Sequence, residues 1–297
     1  MSHVVEVNNL TKSFRKVTAV QDVSFSIEPN KIYGMLGRNG AGKTTIMHML
    51  TAQQFETSGE VRVFGEHPYE NQRVLGQICF IKESQRYPDA YRILDVLDVA
   101  GLMYPNWDRE YAHDLVNDFQ LPLKRRMKKL SRGMRSAVGI IIGLASRAPL
   151  TIFDEPYLGL DAVARTLFYD RLLEDYSVHP RTVILSTHLI DEISEILEHV
   201  MLIDKGRLIV DEDADKLRGS AFTIAGHKDR IEAFTAGRKV IAQTPLGALV
   251  SATVIGDMNS DDRKQAESLG LEPTPVSLQQ MFVHLTNEKT NGKTVTV

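Results

Sequence analysis

The stretch Gly37-Arg38-Asn39-Gly40-Ala41-Gly42-Lys43-Thr44 constrains this chain more than any other. It fits the phosphate-cradling pattern G-x-x-x-x-G-K-[ST] at every position. Its flanks fit too: Lys31–Leu36 reads as a short buried strand, and Thr44–Leu50 as the helix that follows. Glycines let the backbone turn so that successive N–H groups aim at phosphate oxygens. The helix N-terminus adds partial positive charge. Nucleotide contacts are therefore expected at Gly37, Arg38, Asn39, Gly40, Ala41, Gly42, Lys43, Thr44 and Thr45. Lys43 should reach the terminal phosphates, and the Thr44 hydroxyl should bind Mg²⁺.

Strands that alternate with helices around such a loop make a mainly parallel sheet covered on both faces. Leu150–Asp154 reads as an apolar strand ending in Asp154-Glu155, and Thr182–Leu185 as one ending in Ser186-Thr187-His188. Leu189–Leu197 reads as the next helix. Val4–Val7, Val20–Ile27 and Glu60–Phe64 alternate apolar and polar residues, as antiparallel strands of a smaller sheet do. Between the first two, Leu10–Lys16 reads as a polar loop, in which Phe14 either stacks on a nucleobase or folds onto the sheet. Arg92–Gly101, Arg109–Phe119 and Ser131–Ser146 carry helical spacing, which makes an all-helical block at about 86–147.

After Gly219 the pattern shifts to a small α+β appendix over 219–286, then a polar tail at 287–297. The predicted appendix strands are Ala221–Ala225, Lys239–Ala242 and Ala248–Ile255; the helices are Arg230–Ala236, Asp261–Leu269 and Leu278–Leu285. The fold class is therefore α/β, with residues 1–218 as the principal domain.

A net charge of −3 argues against a partner held by bulk charge, such as nucleic acid. The single cysteine, Cys79, excludes an internal disulfide and reads as a small buried hydrophobe. The first residues lack the basic-then-apolar layout of a signal peptide. The longest apolar run, near Val138–Ala145, is far too short to span a bilayer. A cytoplasmic protein is expected, one that works at a membrane only through a partner.

Asp154 and Glu155 stand where ligands bind in such sheets, at the carboxyl end of a strand. Asp154 would hold Mg²⁺, and Glu155, slightly further out, would polarise the attacking water. His188 ends the next strand, from which an imidazole reaches a γ-phosphate or that water. The other histidines have no metal-site spacing. Leu130-Ser131-Arg132-Gly133-Met134 follows the basic stretch Lys124–Lys129. It reads either as a second anion site serving another subunit or as a helix cap beside solvated lysines.

Together these segments resemble the ATP-binding subunits of ABC transporters, over about residues 3–218. The resemblance rests on Gly37–Thr44, Leu130–Met134, Phe153-Asp154-Glu155-Pro156, Gly159-Leu160-Asp161 and Ser186-Thr187-His188, in that order. More narrowly, one ATPase domain with an appendix is similar to exporter subunits that pair with separate membrane subunits, those handling antimicrobial or amphipathic peptides above all. The fold implied is a P-loop NTPase with an antiparallel β subdomain and an α-helical subdomain.

The resemblance implies two ATPase subunits closing head to tail with ATP between them. Ser131 and Gly133 would contact the γ-phosphate across the interface, Asp161 would link the two sites, and Phe14 would stack on adenine. The helical block would meet a membrane-spanning permease, with Lys82–Gln85 as the coupling loop, at the inner face of the membrane. The alternative is a soluble ATPase of this family acting on ribosomes or DNA; an unrelated phosphate-loop kinase or GTPase would lack Leu130–Met134 and the Ser-Thr-His stretch.

Three positions depart from the family pattern. Arg132 stands where a glycine is usual, and either tightens phosphate binding or points outward. Tyr157 replaces a small threonine, with an effect expected on packing near the dimer seam. The coupling-loop glutamine becomes Glu83, unless a two-residue slip restores Gln85. A carboxylate at Glu83 would sit near Mg²⁺, Asp154 and Glu155, binding the metal or repelling Glu155.

Overall fold

The computed structural model describes residues 3–83, 85–256 and 258–288, with side chains described up to residue 283. The expected tail lies outside the described residues from 289 onward. The chain forms two compact units. One holds residues up to 188 together with 196–211; the other holds 189–195 and the chain from 212 onward.

The first unit opens with β1 (Val5–Phe14) and β2 (Val17–Ile27), paired antiparallel. After β3 (Ile32–Leu36) and α1 (Lys43–Leu50), β4 (Ser58–Val63) returns to β1, which gives a three-stranded sheet ordered β2-β1-β4. The segment expected as a loop at Leu10–Lys16 is largely strand. Register shifts between Val7 and Leu10 and again near Lys12 break its alternation, and Asn9 and Asp22 take positive φ there. A bulged strand hides its period in just this way.

Next come α2 (Gln72–Leu75) and β5 (Ile78–Ile81). The helical block follows as α3 (Ile93–Met103), α4 (Arg109–Asp118), a 3₁₀ turn at Met127–Lys129 and α5 (Arg132–Ala145). It forms the crossover from β5 to β6 (Leu150–Asp154), which pairs parallel with β5. α6 (Ala162–Val178) and β7 (Thr182–Thr187) continue the sheet. The chain then makes α7 (Ile190–Ile193), part of the second unit, and returns as β8 (His199–Asp204) and β9 (Arg207–Asp213). The order is β5-β6-β7-β3-β8-β9. Every residue of β3, β6 and β7 is buried, as central strands covered on both faces require.

The helix expected over Leu189–Leu197 is a single turn. Its continuation is taken by the sheet: the Glu198 backbone N–H donates to the Ile32 carbonyl at 3.0 Å. The Glu198 carboxylate accepts from the Ile32 N–H at 2.8 Å.

The second unit continues with α8 (Ala214–Gly219), β10 (Ala221–Gly226), α9 (Lys228–Thr235), β11 (Lys239–Leu246) and β12 (Leu249–Ile255). It ends with α10 (Ser260–Ser268), β13 (Glu272–Pro275) and α11 (Leu278–Glu288). Its antiparallel sheet runs β11-β12-β10-β13. From β10 to β13 this is the split β-α-β, ferredoxin-like arrangement, with Phe222, Ile224, Phe234, Val254 and Leu271 in its core. Arg238 clamps α9 to α10. It donates to the Phe234 carbonyl at 2.8 Å, to Asp262 at 2.6 Å and to Gln265 at 2.7 Å.

Candidate active site

Three neighbouring strands of the six-stranded sheet deliver the site. The phosphate loop follows β3, Glu155 follows β6 and His188 follows β7, all at carboxyl ends. Ligands of such sheets bind in that crevice.

Gly42 starts α1 with φ of 112° and no side-chain cap. A Cβ there would lie 2.6 Å from the Ala19 carbonyl oxygen, so only glycine fits. Lys43 is buried. Its Nζ donates to the Gly37 carbonyl at 2.6 Å and lies 3.5 Å from Glu155 Oε1. Arg38, Asn39 and Gly40 at the loop's crest are exposed, with Ala41 buried beneath. Thr44 Oγ1 donates to Asp154 Oδ2 at 2.7 Å. The other Asp154 oxygen, Oδ1, is buried without a hydrogen-bond partner, and so is Glu155 Oε1. A buried carboxylate with one open oxygen beside a hydroxyl is an oxygen donor set of the kind Mg²⁺ takes. Thr44 and Asp154 therefore fit that ion.

Glu155 has φ of 50°, in the left-handed region that non-glycine residues seldom adopt. The turn that follows is closed by the Leu158 N–H on the Glu155 carbonyl at 3.2 Å, with Pro156 in its second position. This turn brings Tyr157 back to the carboxylate. Its hydroxyl donates to Glu155 Oε2 and accepts from Thr187 Oγ1 at 2.8 Å and from the His188 backbone N–H at 3.2 Å. His188 Nδ1 lies 2.8 Å from the same Glu155 oxygen. Burial pushes the Tyr157 phenol well above its ordinary range, and the carboxylate beside it pushes the same way. No local pattern in the sequence assigns Tyr157 to this cluster. One signal was available: a tyrosine buried next to a catalytic strand needs a partner for its hydroxyl.

A second cluster gathers the other expected residues. Ser131 caps α5, accepting from the Met134 N–H at 3.1 Å. A Cβ on Gly133 would lie 2.4 Å from the Gly159 carbonyl oxygen, so α5 and the loop before α6 meet backbone to backbone. Ser136 ties them again by donating to the Leu158 carbonyl at 2.8 Å. Asp161 caps α6 through the Ala164 N–H at 2.9 Å. The structure brings Glu83 to this cluster: Arg132 Nη2 donates to Glu83 Oε1 at 2.9 Å, both side chains about half exposed. Gln85, two residues on, donates its backbone N–H to the Lys82 carbonyl.

Phe14 ends β1, 43% exposed, with Lys12 Nζ 5.0 Å from its ring centroid. Beside Gln85 lies an apolar groove lined by Phe80, Tyr87, Tyr91, Val99 and Met103. Next to it Leu102 is 89% exposed. Among the described residues, no helix is long and apolar enough to cross a membrane.

A mainly parallel sheet with a phosphate loop, a buried Asp-Glu pair and a strand-end histidine defines a P-loop ATPase. The family model described as ABC transporter matches residues 20–158. The bacitracin transport ATP-binding protein of Bacillus licheniformis is 30% identical over 73% of this chain and 72% of its own length. An ABC transporter ATP-binding protein of Bacillus subtilis, YtrB, is 24% identical over 94% of this chain and 97% of its own. Among solved structures, a dimeric ATP-binding cassette in a post-hydrolysis state with ADP and Pi has a TM-score of 0.60. It is 19% identical and covers 71% of this chain and 98% of its own. This chain belongs to the ATP-binding subunits of ABC transporters, and it hydrolyses ATP.

Proposed function

We propose that this subunit powers export of an amphipathic or antimicrobial peptide through a separate membrane subunit, working as half of a head-to-tail ATPase pair. One observation carries the catalytic part. Glu155 Oε1 is buried, lacks a hydrogen-bond partner and lies 3.5 Å from Lys43 Nζ. An oxygen so placed takes the proton of a water attacking the phosphate that Lys43 binds.

Lys43 exchanges the Gly37 carbonyl for phosphate oxygens when ATP enters, and the loop N–H groups complete the cradle. Thr44 and Asp154 would hold Mg²⁺, which when bound would neutralise phosphate charge. His188 meets the γ-phosphate side of the site, and the half-exposed Phe14 ring stacks on adenine. Ser131 and Gly133 complete the partner subunit's site, with Asp161 joining the two. The dimeric cassette among the structural neighbours supports that arrangement. ATP closes the pair because both subunits share its γ-phosphate, and hydrolysis removes that bridge.

The peptide class is supported by the bacitracin transport relative. The apolar groove and exposed Leu102 suit a membrane subunit at the inner face of the membrane. The test is Glu155→Gln with Mg-ATP, read by sedimentation. A closed dimer that retains ATP is expected; a monomer exchanging ATP freely would overturn the reading. Co-purification with a polytopic membrane protein, lost on Leu102→Asp, tests the partner.

A further inference from the structure

We propose that Tyr157 is a positioning residue for ATP hydrolysis, holding the Glu155 carboxylate through its hydroxyl so that only Oε1 faces the attacking water. This rests on the reading of Glu155 as the group that takes the water's proton.

A phenol has one donor and two acceptor lone pairs. Both acceptor sites of Tyr157 are filled, by Thr187 Oγ1 at 2.8 Å and the His188 N–H at 3.2 Å. His188 Nδ1 also lies 3.0 Å from the hydroxyl, but a ring nitrogen that donates its proton to Glu155 does not accept, so the phenol's one hydrogen goes to Glu155 Oε2. Each of the three partners comes from a strand-end segment of the catalytic sheet, so the hydroxyl ties the end of β6 to the end of β7. Tyr157 is only 3% exposed, so water does not stand in for these partners.

The two oxygens of Glu155 are thereby made unequal. Oε2 carries the phenol and His188 Nδ1. An ionised carboxylate only accepts, so the His188 contact needs its proton on Nδ1. Oε1 carries no hydrogen bond and faces Lys43. A carboxylate on a flexible side chain rotates and presents either oxygen; this one is pinned at one end and open at the other. Pinning costs nothing at the moment of reaction, which is how preorganised groups act in catalysis. The backbone serves the same end, since Glu155 holds a left-handed φ of 50° immediately before the turn that carries Tyr157.

The experiment compares the full chain with Tyr157→Phe, alone and combined with Thr187→Val or with Glu155→Gln. Four quantities are read: kcat, KM for Mg-ATP, ATP Kd and thermal midpoint. Tyr157→Phe should lower kcat by about tenfold, the size of one lost hydrogen bond to a charged group, with KM and Kd within about twofold. Adding Thr187→Val removes the hydroxyl that donates to the phenol, so part of the thermal midpoint should return while kcat stays low. In single turnovers, Tyr157→Phe should change nothing further once Glu155→Gln is present.

Recovery of kcat along with the midpoint would make Tyr157 a packing residue and overturn the proposal. So would wild-type kcat in a folded Tyr157→Phe, or an equal loss in the Glu155→Gln background. The parent reading fails separately, if Glu155→Gln hydrolyses ATP at the wild-type rate.

Discussion

Glu83 and Arg132 hold each other from two segments that are far apart in sequence, the loop after β5 and the first turn of α5. The two charges cancel. An exposed pair of this kind adds little to stability, about 0–1 kcal/mol. Its effect lies in what Arg132 does when unopposed, next to the Ser131 helix cap that the proposed function sets against the partner's nucleotide. Glu83→Ala should leave the thermal midpoint unchanged. In a Glu155→Gln background it should tighten ATP-driven dimerisation by roughly two- to fivefold at low salt, the range of one exposed ion pair, with the gain lost at high salt. Sedimentation at two salt concentrations measures both. At this scale the sequence was legible wherever the chemistry is contiguous: Gly37–Thr44 and Asp154-Glu155 are read in a single window. The Glu83–Arg132 pair and the Tyr157–Thr187–His188 contacts close across 30 residues or more, so no local pattern announces them.

Among the elements, β13 shows why a strand goes unread. Pro273 and Pro275 argue against a strand in any window, yet at the sheet's edge the missing N–H groups leave no pairing undone. They also close that edge to another chain. The α9–α10 clamp is the counterpart on the stabilising side. Arg238 stacks on the Phe234 ring, 4.3 Å from its centroid, besides donating to Phe234, Asp262 and Gln265. Arg238→Ala should destabilise the second unit by about 1–3 kcal/mol, through the lost charge-assisted bonds and ring contact. The hydrogen bond from Arg238 holds the Asp262 carboxyl below its ordinary value. A carboxyl lowered on folding adds stability above its unfolded pKa of about 3.9 and loses it as pH falls through the folded value. The melting difference between wild type and Arg238→Ala should therefore be full at pH 7 and shrink toward pH 3. A difference that stays constant with pH would assign the effect to the ring contact and the bonds to the Phe234 carbonyl and Gln265.

For the molecule as a whole, alternating strands and helices were enough to read a parallel sheet, because β3, β6 and β7 are buried runs with no polar face to confuse the period. The division into units was less legible. Residues 189–195 lie between two strands of the first unit and yet belong to the second. Their helix, α7, packs against α11 within that unit. Ile190 and Ile193 are each 1% exposed. A chain ending at Gly219 lacks α11, so it should bind a hydrophobic dye and aggregate on concentration. The full chain should do neither.

The same threading sets an order of events at the ribosome. α7 leaves the exit tunnel immediately after His188, whereas α11 begins only at Leu278. At ~5–20 residues per second that interval is on the order of ten seconds. Through it the nascent chain carries an α7 that has not yet met α11. The arrival of α11 is therefore what completes the packing of α7.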